Sequence, residues 1–497
     1  MKKLLCLILA SLMLITLAAC SADDTPDANN TAVTDGNPEN AEAAEETVDE
    51  RYLIKEELPT ADYGGYEFRM FLRDSETVNW LGDMYVESMT GEVVDDAVYN
   101  RNRVVSEKFN VKFSYKLSDM ADSNGGVGAA NVILAGDDAY DIVVPHARLT
   151  FTNYAQQQLL LDWNENLLYV DLDKPWWDQD AKENLAVYGK LYAMTGDISY
   201  QSLAATNAMM FNKNMFTDFN LDFPYQSVLD NTWTFDKFEE LAISASSDLN
   251  GDGEFNTEQD RYGYVTYQWI GPIQVLYTSG GRIMQKDSDG NPVLSINTPR
   301  NINVFERYFN LLDSDTSFCA PNANDALTYN IVMFREGRSL FIDMNLKTVI
   351  NLRDMQDDYG IIPWPKFDES TEKYFTNVDA GTNIIGVPIT NSDTERTSVI
   401  LEALCAEGYR EVIPAYYEVA LQGKYSRDDV SAQMLDIIRS DRVFDLGYYN
   451  STLSGAFDSI GYSLVTDTNH DFASFYAKNE TAVMTNMEKV LNDVYRD

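Results

Sequence analysis

The sequence has very few of the residues on which catalytic metal sites and nucleophilic triads depend. Among 497 residues, histidine occurs only as His146 and His470, which leaves little for a histidine-rich zinc site or a Ser-His-Asp triad. The Gly-x-Ser-x-Gly, His-Glu-x-x-His, phosphate-loop and dinucleotide-binding motifs are also missing. These absences do not exclude a glycosidase that works with paired carboxylates, because Asp and Glu are abundant.

Cysteine is equally scarce, and this excludes a disulfide framework. Two of the four cysteines, Cys6 and Cys20, lie within the first twenty residues. The other two, Cys319 and Cys405, are far apart in the sequence. They could pair, but the sequence favours isolated buried thiols, because disulfide-stapled scaffolds use many closely spaced cysteines.

Basic residues are few as well. Lys and Arg number 37 against 79 Asp and Glu, which gives a formal net charge of -42. Such a surface repels phosphate backbones, so nucleic-acid binding is disfavoured, and most of the acidity is interpreted as a solubility trait. Hydrophobic residues at 45% suffice for globular folding, and the length predicts two or three packed units.

The first nineteen residues have the layout of a secretory signal. Lys2 and Lys3 supply the positive end, and the apolar run over residues 4–17 is too short to span a bilayer comfortably. Leu-Ala-Ala-Cys at 17–20 resembles the bacterial lipobox, in which the cysteine sulfur is acylated and becomes the first residue of the mature protein. It predicts an extracytoplasmic protein that is lipid-anchored to the cell membrane through Cys20. The alternative is an ordinary cleavable signal that happens to contain this cysteine.

Residues 20–60 are predicted to form a disordered acidic tether. Residues 21–50 contain ten Asp or Glu and neither Lys nor Arg, and they show no apolar periodicity. Such a segment cannot bury enough surface to offset its chain entropy. The folded body is therefore expected to begin near residue 61.

Along the body, short apolar stretches alternate with helical patterns. The first series contains strands over Tyr66–Leu72, Val111–Leu117 and 141–145, a helix over Val93–Phe109, and a Gly-rich turn at 125–126 before a second helix. Later strands are predicted over 209–211, 263–267, 339–343 and 359–363, with a helix over Phe235–Ala245. The final hundred residues look mainly helical. This alternation is typical of a parallel sheet wrapped by helices.

Several local stretches, taken in their order, resemble one protein family, the extracellular solute-binding lipoproteins of bacterial ABC importers. The similarity is to the sugar-binding, family 1-like group. The stretches are Tyr-Gly-Lys-Leu-Tyr-Ala at 188–193 with Met-Met-Phe-Asn-Lys at 209–213, Trp-Thr-Phe-Asp-Lys-Phe at 233–238, Phe-Arg-Glu-Gly-Arg-Ser-Leu-Phe at 334–341, and Tyr-Gly-Ile-Ile-Pro-Trp-Pro-Lys at 359–366.

The resemblance implies an α/β, type II periplasmic-binding-protein fold, in which two α/β lobes are joined by hinge strands around an interlobe cleft. Residues 61–198 with 365–425 would form lobe 1, and residues 199–364 with 426–497 would form lobe 2. The implied function is capture of an extracellular solute by hinge closure and delivery to an ABC transporter permease, without catalysis. The protein is expected to be a monomer. A carbohydrate or oligosaccharide is the favoured solute, and a peptide, polyol or single sugar is the alternative.

The sharpest chemical motif is an acidic loop over residues 248–260. Asp248, Asn250 and Asp252 followed by Gly253 match the first positions of an EF-hand calcium loop, where alternate oxygens turn inward around a glycine. The candidate metal-ligating residues are Asp248, Asn250, Asp252, Glu254, Asn256, Glu258 and Asp260. The motif predicts a structural Ca2+.

The loop departs from the calcium pattern at its twelfth position. Gln259 stands where a bidentate Glu is expected, so Glu258 or Asp260 would have to close the coordination sphere. The alternative is an Asx-rich surface turn that binds no ion.

Solute contacts are predicted where strands end, because a cleft forms there in α/β folds. Sugars present apolar faces and polar rims, which suits an aromatic platform beside Asp, Asn or Arg. The candidate ligand-binding residues are Trp80, Trp176, Trp177, Asp197, Trp269, Asp343 and Trp364. For each Trp, packing is the alternative, and for the two Asp it is helix capping or hinge hydrogen bonding. Trp163 and Trp233 are predicted to be packing residues.

Two other functions stay open at this point. Exported lipoproteins include carboxylate-dependent glycoside hydrolases, which would cut an oligosaccharide. A glycan-binding surface adhesin would bind insoluble polysaccharide with little closure.

Overall fold

The computed structural model describes residues 49–74, 83–122, 124–417, 429–467 and 469–496. The signal segment, Cys20 and Trp80 lie outside the described residues, so the predictions for them stay predictions. Within the described ranges, no helix is both long and apolar enough to cross a membrane.

The first sheet has three parallel strands, as the sequence predicts. They are β1 (Tyr66–Leu72), β2 (Val111–Leu117) and β3 (Ile142–Val144), in the order β2-β1-β3. β3 is buried along its whole length, which matches its uninterrupted Ile-Val-Val run. The carboxyl ends of all three strands therefore point to one edge.

The second sheet has five strands and is mixed. They are β4 (Asn207–Asn212), β5 (Tyr262–Tyr267), β8 (Ser317–Ala320), β9 (Ser339–Asn345) and β10 (Tyr359–Ile362), in the order β10-β4-β9-β5-β8. The expected parallel pairing holds for β5 and β9, and β8, which the sequence did not predict, also pairs in parallel with β5, but β4 runs antiparallel to both of its neighbours. Hydrophobic runs show that a strand is buried on both faces, but they do not encode its direction.

Two small pairings complete the strands. β6 (Met284–Lys286) and β7 (Pro292–Leu294) form an antiparallel hairpin, and β11 (Thr376–Asn377) pairs in parallel with β12 (Arg442–Val443).

Ten helices of seven residues or more surround the sheets in the described ranges. They are α1 (Val93–Phe109), α2 (Gly128–Leu134), α3 (Gln179–Leu185), α4 (Phe235–Ala245), α5 (Gly271–Thr278), α6 (Pro299–Leu312), α7 (Thr394–Glu407), α8 (Asp429–Ser440), α9 (Ile460–Thr466) and α10 (Phe472–Val490). Shorter helices are Ala147–Leu149, Trp163–Asn166, Gln201–Ala204, Lys213–Asp218, Tyr225–Leu229, Ala323–Asp325, Ile331–Arg335, Leu446–Tyr449 and Ser451–Ser454. The 3-10 helices are Glu50–Tyr52, Met120–Asp122, Leu346–Leu352 and Gly455–Ser459, and the π-helices are Thr150–Ala155, Ala326–Asn330, Gly408–Val412 and Leu491–Tyr495. The predicted bounds of α1 and α4 are confirmed.

The chain passes between the two sheets more than once, and the crossing segments pair with each other. Thr206 pairs with Val378 just before β4, and Met194 pairs with Ile385. Gly386 continues the same segment to β3, where it pairs with Val143. The predicted boundaries of the two lobes stay a prediction.

The end of the predicted tether belongs to the folded body, which corrects its boundary at residue 60. Glu56 forms ion pairs with Arg410 and, at 2.7 Å, with Lys108. The carbonyl of Ile54 accepts a hydrogen bond from Arg410 at 2.9 Å. Composition suggested disorder, but specific charge pairing with two basic side chains holds this segment in place.

The core is aromatic and contains the predicted packing tryptophans. Trp163 and Trp233 are 2% and 1% exposed. Cys319 and Cys405 are free thiols, as expected; Cys405 is buried as predicted, whereas Cys319 is only half-buried.

Candidate functional site

Charged and aromatic side chains gather where strands of both sheets end. Arg73 follows β1, and His146 and Arg148 follow β3. From the second sheet, Trp269 comes two residues after β5, and Lys347 comes two residues after β9. Because β5 and β9 are parallel, their carboxyl ends meet at one edge, as in other open α/β sheets that bind ligands there.

Asp379, on the crossing segment, lies among the cations of both sheets. Its backbone N–H donates to the Ala205 carbonyl at 2.9 Å, and its carboxylate accepts from the Gly381 N–H at 2.7 Å. Burial raises the pKa of Asp379, while the charges of Lys347, Arg148 and Arg73 act in the opposite direction. We call these four residues the Asp379 cluster.

Arg73 ties the end of β1 to the crossing segment. It is 5% exposed and donates to the Gly381 carbonyl at 2.7 Å. Burial lowers the pKa of its guanidinium to about 10, although Asp83 and Asp379 favour the charged form. Burial also raises the pKa of Asp83 to about 6, against hydrogen bonds from Ser199 and the Gln201 N–H. Because Arg73 and Asp83 are both buried, their charge interactions are stronger than they would be at the surface.

The other basic groups have shifted pKa values for the same reason. Burial lowers the pKa of Lys347 to about 8, and the nearby charge of Arg73 acts in the same direction. Burial and the charges of Arg73 and Arg148 lower the pKa of His146 to about 3. His146 is therefore neutral at pH 7, and its Nδ1 accepts a hydrogen bond from the Arg148 N–H at 3.3 Å. Arg148 is ion-paired with Asp458.

An aromatic pair lies beside the Asp379 cluster. Trp269 stacks on Tyr462 with ring centroids 4.1 Å apart and an interplanar angle of 7°. Tyr267 is close to both Asp379 and Tyr462, and burial raises its phenol pKa to about 12. All three rings are half-buried, so part of each stays open to solvent. Such an aromatic surface beside polar groups can hold the apolar face of a sugar ring.

Two of the predicted contacts, Trp176 and Trp177, are packing residues instead. They are 0% and 1% exposed, and their indole N–H groups donate to the two carboxylate oxygens of Glu402 at 3.0 and 2.8 Å. Burial raises the pKa of Glu402 to about 7. Because both side chains are almost fully buried, neither ring offers an open platform to a sugar.

Trp364 and Asp343 also lie in the interior, against expectation. Trp364 is 1% exposed and packs edge-on against Tyr264 at 6.0 Å. Asp343 is 2% exposed, its carboxylate oxygens have no hydrogen-bond partner among the described residues, and burial raises its pKa to about 8. The burial of both residues assigns them to the core of the second sheet.

Asp197 lies in a different cavity, with Trp177 and Asp178. Of the predicted contacts among the described residues, Asp343 lines a cavity with Lys347 of the Asp379 cluster, and Trp269 stacks on Tyr462 beside the cluster. Sequence reasoning missed Arg73, Arg148, Lys347 and Asp379. The rule that ligands bind beyond strand ends could have found the first three, but Asp379 follows no predicted strand.

The acidic loop adopts a tight fold stabilised by Asx turns. The Asp248 carboxylate accepts hydrogen bonds from the N–H groups of Gly251 at 2.7 Å and Gly253 at 2.8 Å. These bonds lower its pKa. Both glycines have positive φ angles, 75° and 84°, a conformation that a side chain would strain.

The loop's donor set only partly fits calcium. Asn250 donates to Asp252 at 2.7 Å and bonds Gln259, so the side chains of positions three, five and twelve converge. Asp260 is excluded as the closing ligand, because it is 0% exposed and accepts from the N–H groups of Leu249 and Asn256. In the described part of the chain, no three acidic, His or Cys side chains are grouped to hold a metal. Asp248 and Asp252 would supply charge, and amide and carbonyl oxygens the remaining ligands.

Comparison with known proteins gives the fold. No protein-family model matches the sequence, and neither does any curated protein. Among solved structures, a cyclic alpha-maltosyl-1,6-maltose binding protein from Arthrobacter globiformis aligns over 86% of this chain and 100% of its own, with 15% identity and a TM-score of 0.55. A cyclo/maltodextrin-binding protein complexed with maltotetraose aligns over 86% of this chain and 97% of its own, with 12% identity and a TM-score of 0.54. UspC from M. tuberculosis aligns over 84% of this chain and 100% of its own, with 14% identity and a TM-score of 0.53. The chain has the predicted two-lobed α/β periplasmic-binding-protein fold.

Proposed function

We propose that this protein captures an extracellular carbohydrate or oligosaccharide and delivers it to the permease of an ABC importer. The observation on which the proposal rests is the convergence of Arg73 and Arg148 from one sheet with Lys347 from the other around Asp379. Groups from two sheets can grip one solute only if it lies between them. A site built in this way binds by closure.

The chemistry of the cluster suits a sugar. The half-buried Trp269 and Tyr462 offer apolar ring surface, while Asp379 accepts and Lys347 donates hydrogen bonds to hydroxyl groups. The structural neighbours that share the fold include proteins described as binding cyclic maltosyl-maltose and maltodextrin. That description supports a sugar as the class of solute for this chain.

The proposed mechanism needs no catalytic step. A solute that enters the open cleft contacts one set of side chains, and rotation of the other sheet brings the second set onto it. The solute stabilises the closed form only by the contacts it gains there. For a micromolar ligand the total binding free energy is about 8 kcal/mol, part of which offsets the cost of closing. The closed form, as a monomer, then docks on the permease.

Two further proposals concern anchoring and metal binding. The lipobox-like segment would be cleaved before Cys20 and the cysteine acylated, which holds the body outside the cell membrane. The 248–260 loop would bind one structural Ca2+ through Asp248, Asn250 and Asp252 and stabilise its part of the body. The Asx-turn geometry and positive-φ glycines support this, since EF-hand loops need the same sharp turn.

One experiment separates the proposed function from a glycosidase and from an adhesin. Protein that begins at residue 21 is titrated with maltose, cellobiose, mannobiose and their longer oligomers by calorimetry, and the same mixtures are analysed for hydrolysis products. Saturable binding with intact sugar and a more compact scattering profile is the expected result. Hydrolysis of any sugar, or retention on insoluble glycan without compaction, would overturn the proposal.

A further inference from the structure

A second cavity of about 350 Å³ lies apart from the Asp379 cluster and shares no lining residue with it. We call it the Asp197 cavity. Its charged and aromatic lining consists of Trp177, Asp178, Asp180, Asp197, Asp436, Arg439 and Arg442. One wall comes from residues 175–202 and the other from the end of α8 and from β12. Its volume falls within the range of small-molecule sites.

Most charged groups of the cavity already have partners. Arg442 pairs with Asp178 at 2.7 Å and donates to the Ser202 hydroxyl at 3.1 Å. Asp436 accepts a hydrogen bond from the Tyr417 hydroxyl at 2.8 Å. Asp180 accepts one from the Phe444 N–H at 2.6 Å. Because these side chains are already paired with other protein groups, they have little capacity left to bind a ligand.

One acidic and one basic side chain of the cavity remain uncommitted within the described ranges. The Oδ2 atom of Asp197 is buried and has no hydrogen-bond partner among the described residues. The Arg439 guanidinium lies over the Tyr417 ring, 5.4 Å from its centroid, and no described residue forms a hydrogen bond or ion pair with it. Arg439 is also the strongest electrostatic neighbour that favours the charged form of Asp197. Yet the two do not form an ion pair, although both line the same cavity.

A buried acid without a partner costs free energy unless something binds it. A simple anion would bind Arg439 but would face Asp197 and Asp436, and a simple cation would meet Arg439. The described lining offers no group of three acidic, His or Cys side chains that could hold a metal ion. A molecule with one positive and one negative end satisfies both open charges.

We propose that the Asp197 cavity binds a small zwitterion, such as an amino acid, with its ammonium group at Asp197 and its carboxylate at Arg439. The guanidinium can hold a carboxylate through two parallel N–H···O bonds, and the ammonium supplies the donors that Asp197 lacks. Bound in this way, the molecule links residues 196–202 to α8. It therefore raises the melting temperature of the protein, and the rise grows with the logarithm of the free ligand concentration above its Kd.

The test titrates the same protein with glycine, β-alanine and 4-aminobutyrate, which differ in charge separation, and with ethylamine and acetate as single-charge probes. Calorimetry and thermal shift are expected to show binding of at least one zwitterion and much weaker binding of both single-charge probes. Asp197→Asn and Arg439→Gln should each weaken zwitterion binding by about tenfold or more, because each removes one charged contact. Arg439→Lys should restore part of it.

The matched control is Arg103→Gln, which removes an exposed guanidinium that pairs with Glu107 on α1. Sugar binding should be unchanged in all four variants, and this also shows that they are folded. The proposal is overturned if no zwitterion binds, or if Asp197→Asn and Arg439→Gln bind as tightly as the parent. It is also overturned if Trp269→Ala, rather than these two variants, abolishes zwitterion binding.

Discussion

The indole N–H of Trp177 donates a 2.8 Å hydrogen bond to the Oε2 atom of Glu402, inside the body. Trp176 donates to the other oxygen of the same carboxylate at 3.0 Å. Glu402 of α7 therefore holds two neighbouring tryptophans, because each of its carboxylate oxygens accepts one indole hydrogen bond.

This pairing predicts that Glu402→Gln destabilises the protein. The Gln amide can accept from one indole, but its NH2 group then faces the second N–H, and one buried donor loses its partner. The expected loss is about 1–3 kcal/mol in the free energy of unfolding, measured by urea denaturation. The comparison variant is Glu407→Gln. Glu407 is the last residue of the same helix and forms an ion pair with Arg410. An equal effect of both substitutions would contradict the role of the two indoles.

Stability should fall as pH rises from about 4 to 8. Burial raises the pKa values of Asp197 and Glu402 to about 7 and of Asp343 to about 8. Over this interval the folded state keeps protons that the unfolded chain releases, so each group lowers the free energy of unfolding by up to about 1.4 kcal/mol per pH unit.

Asp343→Asn tests the pH dependence, because it removes the largest of these shifts with little change in shape. We expect a melting temperature that declines less steeply between pH 5 and pH 8 than that of the parent. The measurement is calorimetry at constant ionic strength. Parallel curves for the two proteins would show that Asp343 does not titrate differently in the folded state.

The corrected tether boundary predicts a stability effect at Glu56. Its ion pair with Arg410 is nearly buried, with the two side chains 9% and 5% exposed. Interactions with Arg410 and Lys108 lower the pKa of Glu56 to about 2, although burial opposes the shift. Glu56→Ala leaves Arg410 without this partner and should cost about 3 kcal/mol. The exposed neighbour Glu57→Ala should have almost no effect, and equal losses in both variants would contradict this pairing.

Calcium should stabilise the protein through the 248–260 loop. At a concentration one hundred times its Kd, calcium would add about 2.7 kcal/mol, which a chelator removes. Asp248→Ala should abolish the calcium-dependent rise in melting temperature. The control is Asp287→Ala, in another Asx turn, where Asp287 accepts from the N–H groups of Asp289 and Asn291 at 2.9 Å. If a chelator does not change the melting temperature of the parent protein, the loop is a turn that binds no metal.

Solute binding should depend on Trp269. Trp269→Ala removes the ring that stacks on Tyr462 and should weaken sugar binding by about tenfold or more, since an aromatic ring contributes well over 1 kcal/mol at such a site. Leu168→Ala, at a side chain that is 74% exposed, serves as the control in the same calorimetric titration. Identical isotherms for Trp269→Ala and the parent would remove this residue from the site.

The sequence predicted the secondary structure well and the site poorly, for one physical reason. Hydrophobic spacing is local, so α1 and α4 could be bounded from neighbouring residues alone. Whether Trp176, Trp364 or Trp269 faces solvent depends on distant segments such as α7 and α9, which local patterns do not contain. The same limit explains why the sequence did not reveal Asp379. Its neighbours Arg73, Arg148, Ala205 and Lys347 come from four separate parts of the chain.

The segment after Val378 supplies the acid at the centre of the Asp379 cluster before it reaches β3 through Gly386. If the proposed closure turns on this crossing segment, Asp379 keeps nearly the same position in the open and in the closed form. The choice of solute could then be changed by substitutions at Lys347 or Trp269, while Asp379 stays unaltered. Diversification of solutes on this scaffold would follow that route.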